Sequence, residues 1–273
     1  MGIFTRSQQS PLQNHLLAAL PPADYARVLP RLELVPLPLG WALYESGDSQ
    51  KYVYFPTNGI VSLLHGMVDG FSTGVALVGN EGVVGVAAFL GGESALSRAE
   101  VLSAGYAYRL GASVLKAELS KSANLLQVLL RYTQALITQM AQTAVCNRYH
   151  SVDQQFCRVI LGCLDRSPSI ELTMTQELIA NMLGVRREGV TEAAGRLQKA
   201  GLIRYSRGHI AVLDRPKLEA QACECYATVK RGYDRLLPEY WQADAPSALQ
   251  SGKTKIKYIV PTPHFAMSAS AMS

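Results

Sequence analysis

From Ser113 to Arg148 the chain has neither proline nor glycine, and Leu115, Leu119, Leu126, Leu129, Leu130, Leu136, Ile137 and Met140 recur at helical spacing. The pattern predicts a single helix over 113–148, longer than the about 8–20 residues of ordinary globular helices. A helix of that length with an apolar stripe needs a partner surface. The simplest is the same helix of a second copy, which points to a homodimer; the other reading is a helix packed on the chain's own barrel.

Before this helix the period is different. Short apolar runs at Leu32–Leu39, Tyr52–Phe55, Ile60–Leu64, Gly74–Val78, Ala99–Ala104 and Ala107–Leu110 alternate with Gly, Asn, Asp and Pro. Short strands separated by turn residues predict an antiparallel sandwich or barrel. An amphipathic lead-in carrying Leu12, Leu16, Leu17 and Leu20 precedes them and is stopped by Pro21-Pro22. Beyond the long helix, His150 to Asp165 predicts a second one with Val152, Phe156, Val159, Ile160 and Cys163 inward. From residue 241 onward Ala, Ser, Pro and three lysines follow with little periodicity, which reads as a flexible tail over 241–273.

Residues 173–213 read TMTQELIANMLGVRREGVTEAAGRLQKAGLIRYSRGHIAVL. Thr173 or Thr175 can cap a helix, with Gln176 completing a capping box from Thr173. Leu178, Ile179, Met182 and Leu183 make its buried face, Gly184 supplies a left-handed turn, and Val185 packs between it and a second helix. That second helix, 186–199, buries Val190, Ala194 and Leu197 at i, i+4 and i+7. Two helices joined by a short glycine turn form a helix-turn-helix. After Gly201, the stretches Leu202–Tyr205 and His209–Leu213 around Ser206-Arg207-Gly208 form a hairpin, the wing.

In such a unit the start of the second helix faces base edges in the major groove of duplex DNA. Here those positions hold Arg186, Arg187, Glu188, Thr191 and Glu192. Arginine can bond guanine in bidentate fashion and glutamate can accept from cytosine. Thr175, Arg196, Arg204 and Arg207 suit phosphate contacts, which position a protein without reading sequence. The other reading of a winged helix is a module that docks protein; affinity for duplex DNA that falls with salt separates the two.

Charge placement agrees with the first reading. The whole chain carries +5, but residues 1–145 hold 9 basic and 9 acidic side chains, whereas Arg186–Arg207 holds six basic against two acidic.

The order of a small β domain, a long helix and this winged unit resembles the Crp/Fnr superfamily of bacterial transcription regulators. The segment TQELIANMLGVRREGVTEAAGRLQKAGLI is similar to that family's DNA-binding signature over its length, and the likeness extends loosely over 15–226. It implies an α+β fold in four parts. These are a cyclic-nucleotide-binding-like jelly-roll barrel over 1–112, a dimerisation helix over 113–148, a winged helix-turn-helix over 149–240 and the tail. The resemblance also implies a homodimer on a two-fold symmetric site, a small-molecule effector of unknown identity, and RNA polymerase as partner should the protein activate. Base reading falls on Arg187, Glu188, Thr191 and Glu192; Glu188 matches a glutamate common in the family, while several members have arginine where Glu192 stands.

The sensor departs from that pattern. Cyclic-AMP binders carry a Gly-Glu pair for the ribose and an arginine for the phosphate. Here Val86 follows Gly85, and only Arg98 approximates the arginine, which argues against cyclic AMP. No cofactor is expected, nor the amino-terminal cysteines of the iron–sulfur members. Five cysteines, none in the first 145 residues, are no disulfide framework and suit a reducing cytoplasm. No window reaches the ~18 apolar residues of a membrane span. Cys223-Glu224-Cys225 lacks two further metal ligands, with His209 the nearest candidate, and reads as ordinary buried thiols. Nothing in the sequence marks an enzyme.

Overall fold

The structure, a computed structural model, describes residues 9–68, 71–92, 94–167 and 171–237. The tail expected over 241–273 lies outside the described residues. Two short helices, α1 (His15–Ala18) and α2 (Pro22–Val28), precede seven strands: β1 (Glu33–Leu37), β2 (Ala42–Tyr44), β3 (Tyr52–Pro56), β4 (Ile60–Gly66), β5 (Ser72–Val78), β6 (Arg98–Ser103) and β7 (Gly105–Gly111). A one-turn helix, α3 (Ala87–Leu90), lies between β5 and β6. All strand pairs are antiparallel, and they fall into two sheets, β1-β7-β3 and β2-β6-β4-β5.

Of the sandwich and the barrel that the sequence offered, the described residues form the sandwich, two open sheets with no closed barrel among them. The chain changes sheet four times, at β1 to β2, β2 to β3, β3 to β4 and β6 to β7, and the last two corners meet. A Cβ on Gly105 would overlap the Gly59 backbone, so only glycine lets them pass. Asn58 Oδ1 accepts from the Tyr106 amide at 2.9 Å, and the Thr57 amide donates to the Tyr106 carbonyl, locking the crossing. Asn14 pins the lead-in to the same region: its Oδ1 caps α1 while its Nδ2 donates to the carbonyls of Pro56 and Gly82.

The single long helix is corrected too. It breaks into α4 (Ala112–Leu119) and α5 (Ala123–Tyr149). Ser122 makes the break without proline or glycine. Its Oγ accepts from the Leu125 amide, capping α5, and donates to Asp24 Oδ2 at 2.7 Å. Arg27 joins Asp24 to Glu118, and Lys121 holds Glu118 as well, so the corner is a four-charge knot against α2.

Then come α6 (Val152–Leu164), β8 (Glu171–Thr173), α7 (Gln176–Leu183), α8 (Arg187–Lys199), the hairpin β9 (Ile203–Ser206) and β10 (His209–Val212), α9 (Arg215–Gln221) and α10 (Glu224–Leu236). The third sheet has the order β8-β10-β9. One core joins the sandwich, α4 and α5. A second fills the winged unit, and Ile60, Leu77 and Leu102 of the strands belong to it. The chain then turns back: α10 lies on α5, where Tyr233 packs at 6.5 Å from Tyr132. The sandwich, the rod formed by α4 and α5, and the winged unit thus share buried contacts rather than hanging on linkers.

His15 reports on this packing. Burial holds its imidazole at about 4, below the usual 6.5. A histidine kept neutral in the fold binds its proton in the unfolded chain first, so stability is full above 6.5 and declines as pH falls toward 4. The loss is on the order of 2–3 kcal/mol. Urea unfolding at pH 7 and pH 4.5, with His15→Gln as control, should show this drop in the natural protein and a smaller one in the variant.

Candidate nucleic-acid interface

Thr175, not Thr173, is the cap of α7. Its hydroxyl accepts from the Leu178 amide at 3.2 Å. Thr173 is taken into β8 opposite His209, a strand the helix signals concealed, so no capping box forms there. Gln176 instead accepts from the Thr191 hydroxyl at 2.9 Å, linking the first turn of α7 to α8. Ile179, Ala180, Met182 and Leu183 are buried and Leu178 is half-buried. Gly184 ends the helix at φ +65°, and a Cβ there would press on the Thr73 side chain of β5.

The second helix buries Val190, Ala193, Ala194 and Leu197 and turns its other face outward. On that face Arg186, Arg187, Glu188, Thr191 and Glu192 are all exposed. Arg186 occupies the cap position and makes no capping bond. Among the described residues no acid pairs with Arg186 or Arg187. Glu188 sits in the first turn, where the helix dipole favours a negative charge. Thr191 is less available than expected, because its hydroxyl is engaged with Gln176 and lies 3.1 Å from the Arg187 carbonyl.

Arg196 is engaged within the fold. Its Nε and Nη2 both donate to the Asp153 carboxylate at 2.7 Å, a bidentate clamp between α8 and α6, and Glu192 lies 3.6 Å away. The guanidinium thus ties the two helices together while its side chain stays 55% exposed. Sequence spacing could not show this, since Asp153 is 43 residues away.

Arg204 and Arg207 are exposed on the wing and neither meets an acid among the described residues. Arg207 is at the tip with φ +51°, followed by Gly208 at +81°. Positive φ at both central residues is the two-residue turn that matches strand twist, for which Asn-Gly is preferred. Arginine in this conformation carries about 1 kcal/mol of strain, which places a guanidinium where folding alone would not choose one. The wing is braced from behind: Gln198 Oε1 accepts from the Tyr205 amide and the Tyr205 hydroxyl donates to the Met174 carbonyl. Neither brace stood out in the sequence.

The sensor residues fare differently. Val86 is the cap of α3 and packs on the apolar core. Arg98 is bound by Glu100 at 2.7 Å and lies 3.6 Å from Glu45. Burial raises the Glu100 carboxyl above its usual range while Arg98 draws it back. A cleft of about 480 Å³ instead opens at the junction of sandwich, α5, α6 and α10, lined by His15, Glu81, Gln139, Arg166 and Tyr233 among others.

Its wall contains an ion pair the sequence reading missed. Arg166 Nε donates to Glu81 Oε1 at 2.7 Å, both side chains being 8% exposed. Arg166 also donates to the Gly162 carbonyl at 2.9 Å, and its guanidinium stands 5.2 Å over the Tyr233 ring. The only signal for it was a lone carboxylate inside the apolar, glycine-rich run GNEGVVG. The Cys223 and Cys225 thiols, finally, meet Cys146 and His150; His209 is on β10, facing Thr173.

Residues 154–221 match the family model of the Crp-like helix-turn-helix domain. No curated protein sequence matches the chain. Among solved structures it is similar to FixK2 from Bradyrhizobium japonicum, with 17% identity over 70% of this chain and 98% of that one, at a TM-score of 0.59. A Crp-family transcriptional regulator from Thermus thermophilus is 19% identical over 69% of this chain and 96% of its own, TM-score 0.58. The c-di-GMP-responsive global regulator CLP of Xanthomonas campestris is 16% identical over 70% and 99%, TM-score 0.57. Residues 154–221 are therefore similar to the Crp-like helix-turn-helix domain, and the chain as a whole shares the fold of these solved structures.

Proposed function

We propose that the protein is a sequence-specific, homodimeric DNA-binding regulator that reads a two-fold symmetric operator through α8. The observation that carries this reading is the set of four arginines, Arg186, Arg187, Arg204 and Arg207, exposed at the start of α8 and on the wing and meeting no acid among the described residues. Arg186, Arg187, Glu188, Thr191 and Glu192 then face base edges, and Thr175, Arg204 and Arg207 face phosphates. Arg196 drops out of that set because Asp153 holds it.

Support for the dimer comes from α5. Leu126, Leu130 and Ile137 are 38%, 47% and 54% exposed. At 3.6 residues per turn they lie within about 40° of one another, on the face opposite the core. A second copy of α5 covers such a stripe. The sensor reading also stands as a proposal: with Arg98 neutralised and Val86 in the ribose position, the sandwich is a degenerate effector domain that does not take cyclic AMP. RNA polymerase enters as a partner where the regulator activates.

The test is titration of labelled duplex DNA at several salt concentrations. Affinity should fall steeply with salt, at about 0.9 log units per log unit of salt for each phosphate contact. Arg207→Asn should reduce that slope by about one for each wing engaged, weaken specific and non-specific duplex alike, and leave thermal stability unchanged or slightly higher. Salt-independent binding, or none, would overturn the reading.

A further inference from the structure

We infer that Cys146, His150, Cys223 and Cys225 form a closed, tetrahedral Cys3His site for a Zn2+ ion that staples the end of α5 to the start of α10. One ligand atom from each lies within 4.8 Å of all the others. The Cys146 and Cys223 sulfurs are 3.5 Å apart, and Cys225 Sγ is 3.5 Å from His150 Nδ1. Around tetrahedral zinc, with bonds of about 2.0–2.3 Å, ligand atoms stand roughly 3.3–3.8 Å apart. The cluster needs only a small contraction to reach that geometry.

The elements present the ligands without strain. Cys146 and His150 are four residues apart, so both sit on one side of the last turn of α5, with His150 as its C-cap. Cys223 is the N-cap of α10 and makes no capping bond through its side chain, and Cys225 follows in the first turn. The positive end of this 13-residue helix favours thiolates there. All three cysteines are buried and form a small cluster of their own, apart from both apolar cores.

The surroundings resemble the outer shell of a metal site. His150 Nε2 is 3.2 Å from Glu224 Oε2, so a carboxylate can orient the ring and leave Nδ1 to the metal. Gln142 Nε2 donates to Cys225 Sγ at 3.1 Å, the kind of bond that steadies a bound thiolate. Four protein ligands leave no open position, so the role is structural rather than catalytic. The ion would fix α10, which closes the winged unit, against the rod. Cys157 and Cys163 belong to the winged core and lie outside the set.

The experiment uses the full-length protein purified under reducing conditions. Elemental analysis should find about one zinc per chain. After chelation, Co2+ should restore thiolate-to-metal charge transfer and the visible bands of tetrahedral cobalt. Cys223→Ser should lose the ion, Cys163→Ser should keep it, and Glu224→Gln should weaken zinc affinity by about 10–100-fold. Should Cys223→Ser not fold, the natural protein's cobalt spectrum and zinc content decide alone. Absence of zinc after reconstitution, an octahedral cobalt spectrum, or a Cys146–Cys223 disulfide in the reduced preparation would each overturn the assignment.

Discussion

Glu81→Ala is expected to destabilise the protein by about 3–5 kcal/mol, measured by urea or thermal unfolding at neutral pH. Its partner Arg166 stays charged at such pH; burial works against that charge, and the Glu81 carboxylate offsets the cost. Removing the carboxylate leaves a buried cation with only the Gly162 carbonyl, a long contact of 3.4 Å to Gln139 and the face of Tyr233. Those cannot replace a charge.

The effect is not confined to one loop. Glu81 follows β5, Arg166 follows α6, Gln139 is on α5 and Tyr233 on α10, so one buried cluster ties the sandwich to three helices. A paired change, Glu81→Leu with Arg166→Met, should cost much less than Glu81→Ala, because two matched apolar groups need no desolvation. If Glu81→Ala unfolded within 1 kcal/mol of the natural protein, roughly the worth of an exposed pair, the buried junction would be wrong.

Arg187→Ala should leave folding unchanged and remove most discrimination between operator and random duplex. The side chain is exposed in the first turn of α8 and carries no intramolecular ion pair among the described residues, so truncation breaks nothing in the fold. A bidentate contact to guanine is worth about 1–3 kcal/mol of discrimination. Two half-sites in the proposed dimer double this to roughly 2–6 kcal/mol, a loss of about 30-fold to over 10⁴-fold in specificity ratio. Competition between operator and random duplex at one salt concentration measures it. Equal loss on both duplexes would mean that Arg187 touches phosphate instead, and no loss would place α8 outside the groove.

How much of this was legible beforehand can be judged residue by residue. The α7–Gly184–α8 unit was readable because it is local. Apolar residues at i, i+4 and i+7, one left-handed glycine and a two-residue turn are each decided by neighbours in the chain. The break at Ser120–Ser122 escaped because it depends on Asp24, 98 residues distant, to hold the Ser122 hydroxyl. Thr173 looked like a cap and became a strand residue because β10 offered it a ladder. The corner where Gly59 passes Gly105 escaped as well, because no periodicity connects these two glycines.

Arg196 and Arg207 make the same contrast within the interface. Both are exposed arginines in a basic segment, and sequence treats them alike. Folding gives Arg196 an aspartate and leaves Arg207 alone on a strained turn. By itself the sequence determined the helix-turn-helix, the wing, the strand-rich first half and the basic face, because these follow from local pattern and charge order. Tertiary structure decided which charges stay free, which carboxylate is buried opposite Arg166, and which four ligands converge at the end of α5. Such pairings join residues 43 to 98 positions apart, and only packing brings them within hydrogen-bond reach.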